Sequence, residues 1–99
     1  RHMSEAKIKL TRTMLDKYII DANASVVALA LAAWGVDYSK IVGSGVKFEF
    51  LADVEVVGGE RRRAWLRFYC TKRGDKRLSI AKIGSFAVAG DEIRITKPK

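Results

Sequence analysis

From Val46 to Val56 the chain alternates. Val46, Phe48, Phe50, Ala52, Val54 and Val56 fall on one side, and Lys47, Glu49, Leu51, Asp53 and Glu55 on the other. A period of two marks a strand with one face in a core and one in solvent. The segment from Arg61 to Arg73 repeats the pattern with sharper contrast: Ala64, Leu66, Phe68 and Cys70 are its apolar side, and Arg61, Arg63, Trp65, Arg67, Tyr69, Thr71 and Arg73 its other side. Gly58-Gly59 lies between the two runs, so they form an antiparallel hairpin.

Parity decides the register of that hairpin. A two-residue loop at Gly58-Gly59 sets Phe48 and Phe50 on the same face as Arg63 and Arg67, burying charge against aromatic rings. A three-residue loop, Val57 to Gly59 with Gly59 in the left-handed bulge position, avoids this. Phe48 then opposes Phe68 and Phe50 opposes Leu66 inside, while Glu55 faces Arg61, Asp53 faces Arg63 and Glu49 faces Arg67 outside. Trp65 lies beside Leu51, and Tyr69 beside Lys47. A loop from Gly58 to Glu60 keeps the faces but matches the charges less well.

The flanking segments complete the outline. Lys7 to Thr11 alternates and predicts a first strand with Ile8 and Leu10 inward. Thr13 with Asp16 predicts a helix start, after which Met14, Leu15, Tyr18, Ile19 and Ala22 recur at helical spacing and face the sheet. Asp21 to Ser25 interrupts that helix with side chains that bond their own backbone, so it kinks or restarts there. Val26 to Trp34 is apolar around its whole circumference, and Gly35 closes it. Gly43-Ser44-Gly45 has neither the P-loop lysine nor a dinucleotide-binding spacing and reads as a turn. Lys76 to Lys82 predicts a strand with Leu78 and Ile80 inward. Ile83 to Gly90 is a connection that places Phe86 and Val88 in the core, and Glu92 to Thr96 is a last strand with Ile93 and Ile95 inward.

The expected fold is therefore α+β: a short N-terminal strand, one long or kinked helix, then a four-stranded antiparallel meander with the helix packed on one face. With 99 residues, 48% of them apolar, the chain suits one core and not two. Arg1-His2-Met3 reads as a vector remnant, 4–97 as the domain and 98–99 as a loose tail. Cys70 is the one cysteine, which excludes an internal disulfide and fits a reducing compartment. Without a signal peptide, and with an apolar run from Val26 to Val36 about half of the ~20 residues a bilayer crossing needs, the expectation is a cytoplasmic protein with no membrane partner.

Charge is more informative than composition. Residues 1–60 hold 7 Lys/Arg against 8 Asp/Glu, while residues 61–99 hold 12 against 3, so essentially all of the net +8 sits in the second part. That asymmetry is the footprint of a polyanion partner, or else of a solvated basic surface. The three carboxylates facing Arg61, Arg63 and Arg67 neutralise part of it. Lys72, Arg73, Lys76 and Arg77 around the Gly74-Asp75 turn remain, with Lys82, Arg94, Lys97 and Lys99 given no partner by pattern.

Catalytic chemistry finds little support. If the remnant reading holds, the single histidine, His2, is not native, and Cys70 faces inward without a thiolate-stabilising neighbour. No catalytic residue, metal site or cofactor is assigned, and the chain is expected not to be an enzyme. Arg73-Gly74-Asp75 spells a cell-adhesion tripeptide but reads as turn chemistry.

The leading expectation is nucleic-acid binding, single-stranded or structured. Arg61, Arg63, Trp65, Arg67 and Tyr69 form the strand face, Lys72, Arg73, Lys76 and Arg77 the basic hairpin tip, and Lys82 lies beyond it. Homodimerisation is expected through Val27, Leu31 and Trp34 of the all-apolar helix. The competing reading is an interaction or inhibitory module that captures an acidic protein or self-associates. No family motif is complete.

Overall fold

Strong period-two segments pair where their apolar faces coincide, and the longest of them organise this molecule. The computed structural model describes residues 5–99. The expected remnant at 1–3 lies outside the described residues. Six strands form one antiparallel sheet: β1 (Glu5–Lys9), β2 (Ile20–Asp21), β3 (Phe48–Val56), β4 (Arg61–Cys70), β5 (Lys76–Ile80) and β6 (Glu92–Thr96). Their order is β1-β6-β3-β4-β5-β2. Two helices, α1 (Arg12–Lys17) and α2 (Ala24–Trp34), lie in the first part of the chain.

The central hairpin has the register that charge and parity require. Phe48 pairs with Phe68, Phe50 with Leu66, Leu51 with Trp65, and Glu49, Asp53 and Glu55 with Arg67, Arg63 and Arg61. The left-handed glycine, however, is Gly58 at φ 82°, not Gly59. Gly59 N–H donates to Val56 C=O at 2.8 Å, which makes Gly58 the third residue of a four-residue turn, where a type II turn requires positive φ.

The expected four-stranded meander needs correction. β3, β4 and β5 do follow one another, but β6 returns to the far edge of β3, pairing Ile93 to Thr96 with Val56 to Asp53, and β1 pairs outside it. β5's other edge is occupied by β2, which pairs Ile20 with Leu78 and Asp21 with Arg77. Alternation in β6 reports which face is buried but says nothing about which strand edge it joins.

The helix restarts at the interruption, as α2 with Asn23 as its cap, but a short strand, β2, that the pattern did not show lies between α1 and α2. Thr11, not Thr13, caps α1, its Oγ1 accepting the Met14 N–H at 3.2 Å. Tyr18 ends the helix in left-handed backbone at φ 56°, so Tyr18 and Ile19 leave the helix face on which they were expected, and Ile20 enters the core as a strand residue. A six-residue helix holds little stability of its own, and the ladder to β5 captures the residues that follow. Asn23 caps α2 by accepting from Val26 N–H at 3.0 Å, and Gly35 closes it at φ 70°, as expected.

The two outer strands are drawn toward each other by the residues that open α2. Asn23 Nδ2 donates to Lys7 C=O at 2.8 Å and Lys7 N–H donates to Ser25 Oγ at 3.1 Å, so the open edge of β1 finds side-chain partners immediately after β2. That satisfies backbone groups an edge strand otherwise leaves exposed, and the sheet curls on itself. The concave side holds Ile8, Leu10, Ile20, Val54, Leu66, Phe68, Leu78, Ile93 and Ile95, all buried, with Val26, Leu29 and Ala30 of α2 against them. Trp34 stacks on Phe50 at 5.5 Å between centroids, and Phe68 meets Tyr38 edge-on at 6.1 Å. Such pairs contribute ~0.5–1.5 kcal/mol beyond area burial.

One smaller expectation also changes. Val88 is 65% exposed and Ala87 takes its place in the core, because Ile83–Ser85 forms a 3₁₀ turn that resets the facing of the connection. Lys97 reaches back to donate to Ala33 C=O at 3.0 Å, at the negative end of α2.

Candidate nucleic-acid interface

Antiparallel pairing sorts the outward side chains into rows across the sheet. Lys7, Arg94, Glu55 and Arg61 make one row, and Glu5, Thr96, Asp53 and Arg63 the next. Leu51 and Trp65 follow, then Glu49, Arg67 and Ser79, then Tyr69 with Arg77 and Asp21. Each charged row sets at least one carboxylate directly beside an arginine. Trp65 stands in the one row of this set without a charge, and it is 51% exposed beside the half-buried Leu51.

The arginines of this face are held by carboxylates at their inner edge. Arg63 Nε donates to Asp53 Oδ1 at 3.1 Å and Arg67 Nε to Glu49 Oε2 at 3.0 Å. Neither guanidinium bonds its carboxylate through a terminal nitrogen, so both Nη groups of each remain available as donors. The pairs are about half exposed on the arginine side, where such bridges contribute ~0–1 kcal/mol; their main effect is to orient the forks. Arg61 has no ion-pair partner among the described residues, although Glu55 lies opposite in register. Lys47 sits over the Tyr69 ring, 5.4 Å from its centroid, which occupies that half-buried ring with a cation.

The hairpin tip between β4 and β5 is more self-satisfied than its composition implies. Asp75 accepts from Arg73 Nη2 at 2.6 Å and from Arg77 Nη2 at 3.2 Å. The Arg73 hydrogen bond, supported by the two positive charges, holds the Asp75 carboxyl below its ordinary range. Arg77 is largely covered, with Nε 3.0 Å from Asp21 Oδ1 in an ion contact without aligned hydrogen-bond geometry. Lys72 and Lys76 project freely, and Gly74 at φ 99° makes the reversal read from Arg73-Gly74-Asp75.

Beyond the tip, the sheet opens into a cleft of about 240 Å³. β2 begins only at Ile20, opposite Leu78, while β5 continues to Ile80, and the gap is bordered by Met14 and Tyr18 from the α1 side and by Trp65, Arg67, Ser79 and Lys82 from the sheet side. Three expected binding residues, Trp65, Arg67 and Lys82, thus converge, with Arg63 next along the strand. Arg61 and the Lys72–Lys76 tip flank them at opposite ends of β4, about 30 Å apart by strand rise. Tyr18, Met14 and Ser79 were not expected at the site. A tyrosine in left-handed backbone leaves no mark in a hydropathy pattern.

The residues expected to self-associate do not share one exposed face. Leu31 is 54% exposed and Val27 half-buried, whereas Trp34 turns inward onto Phe50 and Phe68. Among the described residues no helix is long and apolar enough to cross a membrane. Comparison with known protein families, curated proteins and solved structures gives no significant match.

Proposed function

We propose that the outward face of β4, with the cleft beside it, binds nucleic acid without catalysis, and that unpaired strands are preferred to uniform duplex. The observation that carries this reading is Trp65: a large ring left half in solvent on a sheet face, set between two arginines whose terminal nitrogens are free of their carboxylate partners. Burial does not explain that ring, and stacking on a base would. Arg63 and Arg67 supply phosphate contacts in a fixed orientation, and Arg61, Lys72, Lys76 and Lys82 extend the cationic track.

An acidic protein partner is the second reading, favoured by the same charge asymmetry. Salt response and base dependence separate them. Fluorescence anisotropy with labelled single-stranded DNA, RNA and duplex at two salt concentrations tests the proposal. Binding that falls steeply with salt and is lost in both Trp65→Ala and Arg63→Ala/Arg67→Ala supports it. Absence of binding to any nucleic acid at low salt transfers the assignment to the acidic-protein reading.

A further inference from the structure

Among the described residues, two that are not glycine hold positive φ: Tyr18 at 56° and Lys82 at 59°. Both border the same cleft. Glycine occupies this backbone region without steric cost, whereas tyrosine and lysine do so against their preference. Core packing does not account for Tyr18 either, because it is 71% exposed. A side chain kept at a strained position with its ring in solvent points to a role for that ring outside folding.

The cleft also presents unpaired backbone. Ala81 N–H donates to Trp65 C=O, so Trp65 and Ala81 form a hydrogen-bonded pair, and alternation turns the N–H and C=O of Ile80 away from β4. They point toward the side where β2 would lie, but the β2 ladder stops at the pair Ile20–Leu78. One donor and one acceptor therefore face the gap beside Tyr18. Arg67 adds its free terminal donors and Lys82 an ammonium. At about 240 Å³ the space falls below the roughly 300–1,000 Å³ of sites for larger small molecules, which suits one planar ring.

We infer that this cleft accepts a single unstacked nucleobase of the bound strand. The base lies against Trp65 and Tyr18, its edge meets the Ile80 backbone, and the adjoining phosphate engages Arg67 and Lys82. This inference rests on the nucleic-acid reading above and adds to it a discrete base subsite built by α1 and the end of β5. A strand sliding on charge alone needs no such pocket.

Tyr18→Gly is the informative variant, because it removes the ring while relieving the left-handed strain, so the fold is retained. Anisotropy is measured with oligothymidylate and with a strand of equal length in which abasic sites replace the bases, for wild type and Tyr18→Gly, with circular dichroism as the folding control. Wild type is expected to bind the base-bearing strand about tenfold more tightly than the abasic one, and Tyr18→Gly to lose most of that discrimination while keeping its affinity for the abasic strand. Unchanged discrimination in folded Tyr18→Gly overturns the base subsite and leaves the nucleic-acid reading standing. Failure of wild type to bind either strand at low salt overturns both.

Discussion

Glu49 Oε2 accepts from Arg67 Nε at 3.0 Å at the mouth of the cleft, so a carboxylate both aims the guanidinium and offsets its charge. The two effects oppose each other in binding a polyanion. An exposed pair of this kind is worth ~0.2–1 kcal/mol, and the long-range charge is the larger effect on phosphate affinity.

Glu49→Gln keeps an oxygen acceptor for Arg67 while removing the negative charge. It is expected to tighten oligonucleotide binding by about two- to fivefold and to steepen its salt dependence. Anisotropy at several salt concentrations checks this. Weaker binding by the variant argues that phosphate does not approach Arg67.

Tyr38 is buried, and its hydroxyl donates to Arg77 C=O at 2.8 Å, tying the 3₁₀ turn Tyr38–Lys40 to β5. Tyr38→Phe removes this second bond to a carbonyl that already lies in the β4–β5 ladder, and is expected to cost about 0.5–1.5 kcal/mol in urea unfolding. Burial, with a smaller contribution from Cys70, pushes the phenol far above its ordinary value of 10.0. For a raised value of this kind the stabilisation is complete below the unfolded value and lost as pH rises toward the folded one. Wild type should therefore weaken at alkaline pH, with burial of the Cys70 thiol acting in the same direction, and Tyr38→Phe should show the shallower fall.

Asp75 titrates in the opposite sense. Its carboxyl is held below the ordinary 3.8 first by the Arg73 hydrogen bond, so its contribution is present above the unfolded value and lost as pH falls through the folded one. Asp75→Asn should separate from wild type in urea midpoint near neutral pH and converge with it in acid, once pH has fallen below the lowered value of the folded state. A gap that persists into acid indicates loss of turn geometry instead of loss of charge.

Asn23 serves two roles, capping α2 through Oδ1 and closing the β1 edge through Nδ2. Asn23→Asp retains the cap but cannot donate to Lys7 C=O, whereas Asn23→Ala loses both. Loss of the cap alone is worth about 1 kcal/mol. Hydrogen exchange should show faster exchange of β1 amides in both variants, with only Asn23→Ala destabilising α2 as well. Equal protection of β1 in wild type and Asn23→Asp would mean that the side-chain clasp does not hold the edge.

What the chain discloses by pattern is its faces. Phe48 against Phe68 and Asp53 against Arg63 follow from alternation and charge, because a slip of one residue would bury arginine. Partner edges are less legible: nothing in Ile93 and Ile95 says that β6 joins β3, and two residues, Ile20 and Asp21, are too few to reveal a strand. The site divides in the same way. Trp65, Arg63 and Arg67 are visible as an outward stripe, but their convergence with Lys82 and Tyr18 depends on where β2 begins and on two left-handed residues. The compensation of Arg73 and Arg77 by one Asp75 is likewise a product of turn geometry.

Chemical-shift mapping on uniformly labelled protein addresses the binding face most directly. Titration with a short single-stranded oligonucleotide should perturb the Trp65 indole, the Arg63 and Arg67 side chains and the amides of Tyr18 and Lys82, while Leu31 and the rest of α2 stay still. Perturbations centred on α2, with Trp65 unmoved, would contradict the account.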